Sequence, residues 1–169
     1  MRFLDRAVRA LIGVAAATAI VLGAPGIASA TVDGIGSTAT KLSHADAAAR
    51  LSAAGVAWTS SGGCSDRNQP NCTSFTEINL DTILGAITLQ QAGGCALTIT
   101  GGTETGHADG TYSHWNGYKL DFRMTSCLTN WVQGHYTPIG GSKWQSGSGN
   151  IYFHEGNHWD VTYYNCGGC

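Results

Sequence analysis

Ser113-His114-Trp115-Asn116-Gly117-Tyr118-Lys119-Leu120-Asp121 decides how this chain is read. From Tyr118 the pattern alternates. Tyr118, Leu120 and Phe122 interleave with Lys119, Asp121 and Arg123, so the spacing predicts a strand with one buried and one polar face. Asp121 falls on the polar face. Near the C-terminus, Glu155-Gly156-Asn157-His158 answers this stretch. Two histidines and an aspartate, His114, His158 and Asp121, are good ligands for a divalent metal. Three protein ligands leave a fourth position open for water, as a catalytic zinc requires. Glu155 is then a free carboxylate beside the last ligand, able to act as general base.

Further out, Asn150 to His154 and Trp159 to Tyr164 are rich in aromatic and β-branched residues and flank Gly156-Asn157, a good two-residue hairpin turn. In that hairpin Glu155 and His158 face each other, with Cβ atoms about 4.5–5.5 Å apart. His154 points away by alternation. Leu80, Ile83, Leu84 and Ile87 recur at helical spacing, with Asn79 as N-cap and Gly93-Gly94 as stop. Ser43-His44-Ala45-Asp46 is a variant capping box opening an alanine-rich helix that Gly55 ends. Val56 to Trp58 and Ala96 to Thr100 read as strands, Gly101 to Gly110 as a glycine-rich loop, Thr125 to Gln133 as a short helix and Pro138 to Gly149 as turns. The expected fold is α+β: a small antiparallel sheet with flanking helices, stabilised by disulfides.

Residues 1–30 read as a secretory signal peptide. Arg2, Arg6 and Arg9 give a basic start, Ala10 to Gly23 an apolar run below spanning length, and Ala28-Ser29-Ala30 a cleavage site. An uncleaved anchor is the alternative. The mature chain would begin at Thr31, leaving one domain, 31–169, secreted and free of the membrane. Setting aside Arg2, Arg6, Arg9 and Asp5 leaves 6 basic and 10 acidic side chains, a net charge of −4. Without a basic patch, nucleic acid is not an expected partner. All six cysteines lie in the mature part, an even number that implies disulfides outside the cell. Spacing alone allows fifteen pairings. Cys64–Cys72 is the favoured local pair, Cys95–Cys127 would join the central region, and Cys166-Gly167-Gly168-Cys169 forms a terminal loop, a redox pair or half a zinc knuckle.

With these residues in place, the chain resembles the hedgehog/D-Ala-D-Ala peptidase fold, the M15-like zinc peptidases, over roughly residues 75 to 164. His114, Gly117 and Asp121, preceded by Ser113, are similar to that family's first motif. Glu155 and His158, followed by Trp159, are similar to its second. The resemblance implies Zn2+ held by His114, Asp121 and His158, Glu155 as the catalytic base, and a bacterial cell-wall peptide as substrate. One departure stands out. Many members carry an arginine in a Ser-Gly-x-Arg turn, where this chain reads Gly101-Gly102-Thr103-Glu104. His107 or Arg123 is then the candidate donor, His107 as second shell or oxyanion partner.

Each residue also has a plainer reading. His114 alone would be a hydrogen-bonded loop histidine, Asp121 a surface partner of Lys119 or Arg123, and Glu155 with His158 an ordinary hairpin pair. Trp115, Trp159 and Tyr112 suit core packing as well as a groove. Ser113 lacks the surroundings of a nucleophile. The joint spacing favours an exported zinc-dependent amide hydrolase, expected to be monomeric. Its rivals are a non-catalytic zinc-containing module that binds cell-wall glycan or peptide, which Glu104 favours, and a metal-free disulfide-rich toxin or inhibitor.

Overall fold

The computed structural model describes residues 39–164. The signal-peptide reading, most of the leader, and Cys166 and Cys169 lie outside the described residues. In chain order the elements are β1 (Lys41–Leu42), α1 (His44–Ala53), β2 (Ala57–Trp58), β3 (Ile78–Asn79), α2 (Leu80–Gly93), β4 (Thr98–Gly101), β5 (Lys119–Arg123), α3 (Ser126–His135), β6 (Thr137–Gly140), β7 (Lys143–Gln145), β8 (Ile151–Glu155) and β9 (His158–Thr162).

Local chemistry accounts for most boundaries. Ser43 Oγ accepts the Asp46 N–H at 3.1 Å and donates to the Asp46 carboxylate at 2.7 Å, so the expected capping box opens α1. Gly94, with φ at 60°, ends α2 in the left-handed conformation that glycine adopts freely. Asn79 starts α2 as expected, but its side chain makes no cap bond and is buried without a hydrogen-bond partner. Thr125 Oγ1 caps α3 by accepting from Leu128 N–H at 3.1 Å.

The main sheet is larger than expected and is mixed. Seven strands run in the order β2-β4-β5-β9-β8-β7-β6, and β1 pairs separately with β3. Every pair is antiparallel except β2–β4, which is parallel. The turn-rich reading of Pro138 to Gly149 is corrected, because β6 and β7 form a hairpin there. Glycine and serine mask it: Gly140, Gly141 and Ser142 all take positive φ in the connection. Both outer strands are modest. β2 has two residues, and β6 carries Pro138 and a register shift between Pro138 and Gly140.

One sheet face is the core. Ile99, Leu120, Phe122, Trp159 and Val161 pack with Leu51 of α1, Ile83 and Leu89 of α2, and Leu128 and Val132 of α3. Each such side chain contributes about 1.5–3 kcal/mol by leaving water. Trp159 is fully buried, and its indole N–H donates to Thr129 Oγ1 at 3.2 Å, tying β9 to α3. The opposite face carries Lys119, Asp121 and Arg123 of β5 beside His158 and Asp160 of β9.

Both favoured disulfides are present, Cys64–Cys72 and Cys95–Cys127, and no described cysteine is free. They suit a non-reducing environment. No described helix is long and apolar enough to cross a membrane. The Cys64–Cys72 loop reaches towards the polar face. Its Arg67 donates to the backbone carbonyls of Thr103 (3.2 Å) and Trp115, and its guanidinium lies 3.7 Å from the Trp115 ring centre.

Candidate metal centre

Three structural units bring the site together: the loop from Gly102 to Gly117, strand β5, and the β8–β9 hairpin. The loop's shape is set by close approaches. Gly117 has φ at 79°, and a Cβ there would fall 2.6 Å from the Glu77 carbonyl oxygen. Only glycine fits, and its N–H closes the turn on the His114 carbonyl at 2.8 Å. Gly101, opposite Asp121 in the sheet, leaves room for a carboxylate: a Cβ would fall 2.4 Å from Asp121 Oδ2.

Asp121 lies at the centre. The sequence places it on the polar face, and it is there, but buried rather than exposed as that face suggested. The neighbouring loop and hairpin close over it. His114 Nε2 stands 3.3 Å from Asp121 Oδ1, and His158 Nε2 stands 3.6 Å from the same oxygen. Neither contact has hydrogen-bond geometry, so a buried carboxylate oxygen is left without a partner. Bond lengths of about 2.0–2.2 Å around a tetrahedral ion separate ligand atoms by roughly 3.3–3.5 Å. Each spacing to Asp121 Oδ1 is close to those values, and the orphaned oxygen is the kind of atom a cation would satisfy, but the cluster whose ligand atoms all lie close to one another contains His107 and not His158.

The imidazoles are oriented to match. His114 Nδ1 lies 2.7 Å from the Gly102 carbonyl oxygen, which accepts its N–H and leaves Nε2 as the lone-pair nitrogen of the neutral ring. His158 Nδ1 lies 3.0 Å from Asn157 Oδ1, with the same effect. Burial opposes charge on His114, yet the carboxylates of Asp121 and Asp160 outweigh it and hold its pKa up at about 9. The pocket therefore favours positive charge beside Nε2, from a proton or from a metal ion.

His107 stands closer to the centre of the site than a supporting role behind the ligands implies. Ligand atoms of His107, His114 and Asp121 all lie within 4.8 Å of one another, a cluster able to hold a metal ion. The His107 ring stacks on His114 with centroids 3.8 Å apart, and its Nδ1 is 3.7 Å from Asp121 Oδ2. Glu104 supports it. The Glu104 carboxylate accepts the Ser74 N–H at 2.7 Å and the Gly102 N–H at 3.0 and 3.1 Å, and lies 3.1 Å from His107 Nε2. Where the resembled family has arginine, this chain has a buried acid that fixes the loop.

The hairpin forms as expected. Glu155 pairs with His158 across Gly156-Asn157, and Glu155 Oε2 is 3.7 Å from His158 Nε2. Gly156 has φ at 65° and Asn157 does not share it, the pattern of a type II′ turn. Glu155, His158, His107, His114 and Asp121 all line one cleft of about 240 Å³. Arg123 pairs with His158 across the strands and lines a second cavity with Asp121, Asn157 and His158. His154 faces away, edge-on to Trp159 at 5.0 Å. Trp159 is core, whereas Trp115 and Tyr112 are exposed.

Asp160 was missed by sequence reasoning. It sits opposite Asp121 in the β5–β9 register, and its Oδ2 lies 3.9 Å from His114 Nε2 and 2.7 Å from Lys119 Nζ. Those neighbours outweigh burial and hold its carboxyl below the usual range. The signal was available: Asp160 is two residues beyond His158, so strand alternation puts both on one face. Comparison with protein-family models, curated proteins and solved structures finds no match to this chain.

Proposed function

We propose that this protein is a zinc-dependent amide hydrolase of the hedgehog/D-Ala-D-Ala peptidase type, exported and acting on bacterial cell-wall peptides. One observation carries the reading: His114 Nε2 and His158 Nε2 converge on an otherwise unpartnered buried oxygen of Asp121, with Glu155 at the rim. Two imidazoles and one carboxylate suit zinc among the first-row metals. When bound, zinc supplies Lewis acidity to a water and to the scissile carbonyl.

The chain's own groups do the rest. His114, Asp121 and His158 hold the ion, and the Gly102 carbonyl and Asn157 side chain keep both imidazoles in the ligating tautomer. Glu155 is half-exposed at the cleft mouth, where its carboxylate takes a proton from water and returns it to the departing amine. His107, held by Glu104 through Nε2 and turning Nδ1 towards Asp121, would be a further ligand on the same side of the ion.

Metal analysis and hydrolysis test this together. Purified protein is expected to hold one zinc per chain and to release new amino groups from peptidoglycan stem peptides. His114→Ala and His158→Ala should lose the metal and the activity, and melt at lower temperature. Wild type free of metal, with stability unchanged by chelator, would overturn the reading.

A further inference from the structure

We propose that the sheet face beyond the metal centre is a subsite for an acidic peptide, with Lys143 receiving a carboxylate about three residues from the cleaved bond. The inference rests on the hydrolase reading and names the substrate feature that it selects.

The sheet register supplies the geometry. Lys143 pairs with Phe153, Phe153 with Asp160, and Asp160 with Asp121, so one row crosses four strands from β7 to the metal centre. Along this row lies a groove of about 330 Å³. Ile139, Ile151, Phe153 and Tyr164 are among the residues that line it. Lys119 and Asp160 line both this groove and the metal cleft, so the two adjoin at that ion pair. Neighbouring strands are about 4.8 Å apart. The Lys143 ammonium hangs over the Phe153 ring, 5.0 Å from its centre, two strands short of Asp121. That places it roughly 10 Å from the metal centre, the length of about three extended residues.

The charges select the occupant. Lys119 is already committed to Asp160 at 2.7 Å. Lys143 has no carboxylate within 4.0 Å among the described residues, only the face of Phe153. A ring holds an exposed ammonium weakly, and a carboxylate adds a charge-assisted hydrogen bond. A polyanion would meet Asp160 and Glu155 as well and be repelled. A peptide with one well-placed carboxylate and an apolar side chain against Ile139 and Phe153 meets neither problem.

Peptidoglycan stem peptides with free side-chain carboxylates, and the same peptides with those carboxylates amidated, are the probes. Calorimetry on zinc-loaded Glu155→Gln protein reads binding without turnover, and wild type reads hydrolysis. The free acid is expected to bind at least about tenfold more tightly than the amide, as one charged hydrogen bond allows. Lys143→Gln should bring that ratio close to one and raise KM for the free acid about tenfold. Lys143→Arg should retain the preference. An unchanged ratio in Lys143→Gln, no preference for the acid, or no binding of either peptide would overturn the subsite. Turnover without dependence on Lys143 would sink the subsite and keep the hydrolase. Binding dependent on Lys143 without turnover by wild type would do the reverse.

Discussion

Two segments of this molecule share one spelling, a glutamate three residues before a histidine, and they serve opposite ends. Glu104-Thr105-Gly106-His107 lies in the loop, and Glu155-Gly156-Asn157-His158 turns the hairpin. The Glu104 side chain is 3 % exposed and accepts backbone N–H groups from Ser74 and Gly102. The Glu155 side chain is 51 % exposed and meets only His158, at 3.7 Å, among the contacts found for it. A carboxylate saturated with donors is a fixture, because taking a proton would break the bonds that hold it. One with free lone pairs at a cleft mouth can exchange protons with water. Spacing therefore makes both segments candidates, and environment fixes one in the structure and leaves the other free for the proposed chemistry.

Substitution at the two positions gives the strongest contrast. Glu155→Gln should retain metal and fold while losing about 10²–10⁴ in rate, the usual value of general-base assistance. Equal turnover with wild type, at equal zinc content, would break the assignment. Glu104→Ala should act on stability instead. It strands two buried N–H groups at about 1–3 kcal/mol each, so unfolding in denaturant should show a loss of roughly 2–6 kcal/mol. Glu155→Ala should change stability by less than about 0.5 kcal/mol, as exposed sites do. Similar losses at both glutamates would erase the distinction.

A smaller effect sharpens the same contrast through pH. His114 belongs to the buried half of the site, and its pKa is raised to about 9 from the ordinary 6.5. A raised imidazole contributes stability that is fully present below pH 6.5 and lost as pH climbs through about 9. Metal-free protein should therefore melt several degrees lower at pH 9.5 than at pH 6, a change on the order of 1–3 kcal/mol. His114→Ala should flatten that profile. Zinc competes with this proton, so its affinity should rise over the same window. A flat melting profile in metal-free wild type would show that the two carboxylates do not hold the ring charged.

The sequence revealed the parts of this molecule that depend on local patterns. Helix α1 was readable from Ser43 and Asp46, β5 from the alternation of Leu120 and Phe122, and the β8–β9 hairpin from Gly156-Asn157. What stayed hidden depends on neighbours distant in the chain. The β2–β4 pairing is parallel and bridged by a long connection, so no turn announces it. The β6–β7 hairpin looks like loop because glycines carry its turn. At the site, His114, Asp121, Glu155 and His158 were legible by spacing. His107 entered the cluster only through its stacking on His114, and Asp160 only through the register of β9 against β5. The reach of Lys143 likewise depends on three strand pairings that no short window of residues contains.

The two outer strands of the sheet bear on how the protein behaves when crowded. A seven-stranded sheet with open edges invites another copy to add on and grow a fibre. Here one edge, β2, offers two residues of backbone, too few to nucleate a stable added strand. At the other, Pro138 lacks an N–H and the register shift before Gly140 twists the line of remaining groups. All four residues of β6 are exposed, Ile139 among them, yet the backbone beneath them is a poor template. The exposed apolar surface of the proposed groove can therefore sit next to a sheet edge with little risk of fibre growth.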